Sequence, residues 1–97
     1  MTVTVTIVPD ADVAKGKLAD AELHFHDGPL AGMKLVGFGV WETKVGGKRN
    51  VTFPARKYTV NGEGRAFALL RPIESSEASI AVRDLIAGAY AAWELTR

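Results

Sequence analysis

From Thr2 to Val8 the chain alternates threonine with valine or isoleucine, so Val3, Val5 and Ile7 share one side. A period of two over a run this short marks a half-buried β-strand. Pro9-Asp10-Ala11-Asp12 closes it, because proline cannot donate to a ladder and aspartate favours turns. The alternation returns from Lys17 to His26: Ala19, Ala21, Leu23 and Phe25 face one way, and Asp20, Glu22, His24 and His26 the other. Asp27-Gly28-Pro29 then reads as a turn. The third strand, Met33 to Trp41, places Met33, Leu35, Gly37, Gly39 and Trp41 on one face and Lys34, Val36, Phe38 and Val40 on the other. Both faces are largely apolar, which predicts a central strand or one whose second face a partner covers. Gly37 and Gly39 leave room on one face for a large side chain or another backbone to approach.

Val45-Gly46-Gly47-Lys48 has the glycines of a hairpin turn. Arg49 to Phe53 reads as the fourth strand and Pro54 ends it. Ala55 to Glu63 reads as a loop or loose hairpin with Asn61-Gly62 as its turn, and Arg65 to Leu70 as the fifth strand, closed by Arg71-Pro72. A helix follows. Ser75 or Ser76 can cap its start, Glu77 suits the positive end of its dipole, and Val82, Leu85, Ile86, Ala89 and Trp93 recur at helical spacing. Gly88 interrupts an alanine-rich stretch and reads as a point of close packing on the sheet. The whole pattern predicts one α+β domain over residues 1–97: an antiparallel β-meander of about five strands with one C-terminal amphipathic helix packed on it.

Composition adjusts this picture in two ways. A chain of 97 residues, 47% of them hydrophobic, can build a core but only marginally buries its surface, so pairing with a second copy is a natural expectation. With no cysteine, disulfides, thiolate metal sites and a cysteine nucleophile are excluded. The N-terminal segment lacks a basic region followed by an apolar run, and no stretch approaches the roughly 18 apolar residues that span a bilayer. The expected location is therefore the cytoplasm, with no membrane partner.

The net charge of +1 conceals an uneven distribution. Residues 44–65 carry six cations (Lys44, Lys48, Arg49, Arg56, Lys57 and Arg65) against Glu63 alone, a local charge of +5. Such a segment attracts polyanions, although a solvated hairpin rich in lysine and arginine would look the same. Within it, Arg49-Asn50-Val51-Thr52-Phe53-Pro54-Ala55-Arg56-Lys57-Tyr58 sets cations beside Phe53 and Tyr58. Phosphates pair with lysine and arginine, and bases stack on aromatic or guanidinium faces.

Signals for catalysis are weak. His24 and His26, with Glu22 or Asp27, could approach a metal such as zinc, but a polar solvent face accounts for them equally well. Asp20 and Glu22 share that face without a pocket to separate their proton affinities. Ser75 and Ser76 sit where a cap is needed, and Gly37-Phe38-Gly39 lacks the third glycine and following helix of a dinucleotide fingerprint. The reading is a non-enzyme with no cofactor, no metal and no small-molecule substrate.

The order of features resembles the SpoVG family (stage V sporulation protein G, a septation regulator) of small bacterial proteins. That family has a β-meander, a strand ending in a Phe-Val-x-x-Pro-x-[Lys/Arg]-[Lys/Arg] type motif, a loop with glycine and arginine, a strand ending in Pro-Ile, then serine and a helix. Here the chain reads Asn50-Val51-Thr52-Phe53-Pro54-Ala55-Arg56-Lys57, then Gly62-Glu63-Gly64-Arg65, then Arg71-Pro72-Ile73-Glu74-Ser75-Ser76. The likeness covers most of the chain and is sharpest from Phe53 to Ser76. It implies a homodimer formed through the sheet and a regulator that binds DNA, with RNA binding also described. On this chain the nucleic-acid contacts would fall on Lys48, Arg49, Arg56, Lys57, Arg65 and Arg71, and the dimer contacts on Val36, Phe38 and Val40 of the apolar third strand. Two departures matter: where family members often carry arginine and lysine early in the helix, this chain has Ala78, Ser79 and Ile80, with Arg83 the first helical base, and its strand Met33 to Trp41 is more apolar and glycine-rich than the resemblance leads one to expect. Binding would then rest on the segment after Phe53. A protein-interaction module whose basic loop docks an acidic partner is the alternative.

Overall fold

A computed structural model of the protein describes residues 2–9, 16–43 and 49–96. The turn at Val45-Gly46-Gly47-Lys48 and the Asp10-Ala11-Asp12 turn lie outside the described residues, as do Lys44 and Lys48. The order is β1 (Val3–Pro9), β2 (Lys17–Phe25), a 3-10 turn (Gly28–Leu30), β3 (Lys34–Glu42), β4 (Arg49–Thr52), β5 (Ala55–Val60), β6 (Glu63–Ala68) and α1 (Glu77–Leu95). β1 to β4 form an antiparallel meander in sequence order. Pro9 is tolerated at the end of β1 because β1 is an edge strand.

One face of the meander carries the core. Val3, Val5 and Ile7 of β1 stand opposite Phe25, Leu23 and Ala21 of β2, as their alternation requires. Ala19, Ala21, Leu23, Phe38, Val40 and Val51 are buried there, together with Ile86 and Tyr90 of α1. The helix lies across this face and meets β1 and β4. Two alanines at the centre of the sheet leave the volume that Phe38, Ile86 and Tyr90 fill. The α+β class, the antiparallel meander and the single packed helix therefore agree with the pattern of the chain.

Strict alternation fails in β3. Leu35 pairs with Leu23 and Phe38 with Ala21, so β3 spends three residues where β2 spends two. The extra residue is a β-bulge at Val36-Gly37, and Gly37 adopts φ +107°, a conformation open to glycine. Beyond it the pleat changes phase. Leu35, Phe38 and Val40 face the core, whereas Val36 is turned outward and is 50% exposed. A second shift at Leu18 of β2 brings Lys17 opposite Trp41, with its ammonium 5.8 Å from the indole ring. Gly37 and Gly39 are used as their spacing suggested: Pro54 packs on Gly37, and Gly39 lies under Trp41, whose indole N–H donates to Thr52 Oγ1 at 2.8 Å.

The helix differs from expectation in three details. Ser76 occupies the cap position, but its backbone is already helical and its hydroxyl makes no capping bond. Tyr90 replaces Leu85 in the buried stripe, because Leu85 lies on its flank and stays 45% exposed. Gly88 is not a packing point either, since a methyl group placed there would meet nothing within 4 Å. Gly88→Ala should therefore stabilise the domain by about 0.5–1 kcal/mol in urea unfolding, through helix propensity alone. A loss of stability would mean that the helix packs more closely than this. Among the described residues no helix is long and apolar enough to cross a membrane.

Candidate nucleic-acid interface

The segment expected as a loop or loose hairpin is a regular hairpin, turning at Asn61-Gly62 as its sequence suggested. β5 and β6 form their own two-stranded antiparallel sheet, which no strand of the meander joins. Asn61 (φ +51°) and Gly62 (φ +80°) make the two-residue turn between Val60 and Glu63. Two positive φ values at the tip match the right-handed twist of the flanking strands. The hairpin is anchored at its base, where Leu69 N–H donates to the Pro54 carbonyl at 2.8 Å beside the buried Pro54 ring. Every residue from Ala55 to Phe67 is exposed. The signal in the sequence was Asn-Gly between two runs of strand-forming residues, Tyr58-Thr59-Val60 and Arg65-Ala66-Phe67.

This ribbon brings together three of the expected cations. Arg56 and Arg65 share one face and Lys57 projects from the other. The only acidic residue between Ala55 and Ala68 is Glu63, which lies 3.3 Å from Arg65 at the exposed tip. Tyr58 and Phe67 meet edge-to-face, centroids 6.1 Å apart, on the Arg56 face, and both remain exposed.

Arg49 is elsewhere. It follows the core-facing side of β4, with its guanidinium 3.3 Å from Glu94 and 5.8 Å from the Tyr90 ring. Its Nε is buried. A cation held by the helix in this way braces α1 against the sheet, and Arg49 stands apart from the three cations of the ribbon. Arg71 stands on the connection between β6 and α1, lining a crevice of about 80 Å³ with Phe53, Leu70, Pro72 and Val82. It is not part of the ribbon. Arg83, which the charge distribution did not single out, stacks over Phe53 at 5.2 Å.

The expected dimer residues also separate. Phe38 and Val40 have no exposed surface because α1 and the sheet already enclose them, so they belong to the protomer's own core. Val36 alone of the three reaches the surface, a consequence of the bulge. The expected dimer contacts at Phe38 and Val40 are therefore corrected, since neither presents surface to a partner.

The histidines are divided among separate partners. His24 Nε2 lies 2.9 Å from Glu22 Oε1, His26 Nε2 lies 2.7 Å from Thr4 Oγ1, and the Asp27 carboxylate accepts the Thr2 N–H at 2.8 Å. The hydrogen bond with His24, reinforced by Lys34, holds the Glu22 carboxyl below its ordinary value against a smaller opposing effect of desolvation. Among the described residues no three such side chains gather as a metal-binding group.

Fold and site thus define a class: a small α+β domain presenting a basic, partly aromatic two-stranded arm. Comparison with known proteins finds no matching family, no matching curated sequence and no matching solved structure.

Proposed function

We propose that this domain is a SpoVG-like, homodimeric nucleic-acid-binding regulator without catalytic activity. The observation that carries the reading is the ribbon: Arg56, Lys57 and Arg65 stand on an arm whose residues from Ala55 to Phe67 are all exposed among the described residues, against one carboxylate. Flexible cations at a protruding surface neutralise phosphates and release their counterions. The order of motifs from Phe53 to Ser76, which resembles the SpoVG family, supports the same reading. The homodimer has a separate support. An isolated two-stranded hairpin is marginal in water, and this one exposes Tyr58, Val60 and Phe67 on a single face. A second copy packed on these three side chains would cover their apolar surface and hold the arm rigid, with the longer Arg56 and Arg65 side chains reaching past its rim to phosphates.

A salt titration of binding to labelled DNA and RNA tests the function. Affinity should fall linearly on a log–log plot as salt rises, and replacing both Arg56 and Lys57 by alanine should weaken binding at least about tenfold and flatten the slope by about two phosphate contacts. No binding at low salt, or an unaltered titration for the double variant, would sink the reading. Light scattering on the same protein should give twice the 10.4 kDa mass of the chain.

A further inference from the structure

Resting on the nucleic-acid reading above, we propose that the β5–β6 ribbon enters the major groove of duplex DNA, with Lys57 and Thr59 turned toward the base edges. The two faces of the ribbon differ. Arg56, Tyr58 and Val60 lie opposite Phe67, Arg65 and Glu63, a bulky face. Ala55, Lys57 and Thr59 lie opposite Ala68, Ala66 and Gly64. On this second face only Lys57 and Thr59 rise above a carpet of methyl groups and hydrogen. A shallow, open depression of about 550 Å³ lies along the ribbon, lined by Lys57, Thr59, Gly64 and Ala66 of this face and by Tyr58 and Arg65 of the other.

Shape and chemistry favour one occupant. Neighbouring strands are about 4.8 Å apart. A two-stranded ribbon therefore fits the roughly 12 Å major groove of B-DNA, where each base pair presents a distinct pattern of donors and acceptors. Lysine donates to the O6 and N7 of guanine, threonine can bond to either kind of base edge, and small methyl groups suit the thymine methyl. Lys57 and Thr59 are two residues apart on a strand, about 6.8 Å, which is the rise of two base pairs at about 3.4 Å each. The charge is complementary as well, with three cations and one carboxylate on the arm.

Gly64 is an independent sign of close approach. A Cβ built there meets nothing within 4 Å, and its φ is not in the positive range that favours glycine. Neither packing nor backbone conformation within the protomer calls for glycine, and glycine weakens a strand. The absence of a side chain leaves the centre of the small-residue face open to a ligand.

The test uses the full chain and a 20-base-pair duplex selected by it from a randomised pool, the same duplex with 7-deazaguanine in place of guanine, and either strand alone. The duplex should bind more tightly than either strand, and loss of the guanine N7 should weaken it about tenfold. Gly64→Val should also weaken duplex binding about tenfold while leaving the melting temperature at or above that of the parent, because valine suits a strand and fills space that is empty in the free protein. Thr59→Val, which keeps the shape and removes the hydroxyl, provides the same readout if Gly64→Val fails to fold, and should change the selected sequence. Single strands bound as tightly as duplex, or duplex binding indifferent to the folded Gly64→Val or Thr59→Val protein, would overturn the groove-reading proposal and leave the salt-dependent function standing. No binding to any nucleic acid would remove both.

Discussion

Replacing Phe38 by alanine should cost the domain about 3–5 kcal/mol of its stability, the usual range for removing a fully enclosed ring. Phe38 is 0% exposed and sits at the junction of β3 with the helix-facing core, its ring edge-to-face with Phe53 at 5.4 Å. Its neighbours across the ladder are small: Ala21 lies opposite, and Ala19 two pairs further along on the same face. Those side chains cannot swing into the space a truncated residue leaves, so the cavity persists. In a domain of this size the total stability is on the order of 5–15 kcal/mol. The variant should therefore unfold at much lower urea, with a melting temperature lower by tens of degrees or no cooperative transition at all. The informative control is Val36→Ala. The bulge turns Val36 to the surface, so that variant should stay within about 0.5 kcal/mol of the parent. Comparable losses at the two positions would show that β3 lacks the phase change at Gly37.

Gly37→Ala should be the second most damaging single change, at about 2–4 kcal/mol, and it tests the bulge directly. Two costs act together. A backbone φ of +107° is rarely adopted by residues with a Cβ, and the added methyl would come 2.9 Å from the Pro54 side chain. Pro54 cannot retreat easily, because its pyrrolidine ring is rigid and buried and its carbonyl anchors the ribbon through Leu69. The damage should thus spread from the meander to the arm, and nucleic-acid affinity should fall with stability. Gly88→Ala makes the same chemical change with the opposite expected sign, because that site has helical backbone and open space. Urea midpoints for the pair decide the matter: a Gly37→Ala protein as stable as the parent would rule out both the strained φ and the contact with Pro54.

These positions also explain how far the chain could be read without its structure. The alternation in β1 and β2 was legible because each strand keeps one buried and one open face, so period two survives intact over most of its length. The helix was legible for the same reason at its own period. The expectation of one apolar face carrying Val36, Phe38 and Val40 failed because a single bulge shifts the phase, and a bulge leaves no mark in the sequence beyond a glycine that also had another reading. Arg49 was grouped with Arg56 and Lys57 because charge counts are one-dimensional. In space it lies on β4 and faces Glu94, a residue 45 positions away.

By itself the sequence determined the class of the fold, the order of its strands, the single helix and the place along the chain where positive charge accumulates. Those are local properties, carried by side-chain periodicity, turn residues and composition. Only the tertiary structure decided which apolar residues were enclosed and which cations were left free, because both depend on contacts between distant segments. It assigned Phe38 and Val40 to the protomer's core, tied Arg49 to the helix, and made the expected loop or loose hairpin a regular ribbon with two unlike faces. Lys57 thereby shares a face with Thr59 and Gly64, while Arg56 faces the opposite way. That division rests on cross-strand register, which exists only once both strands have paired.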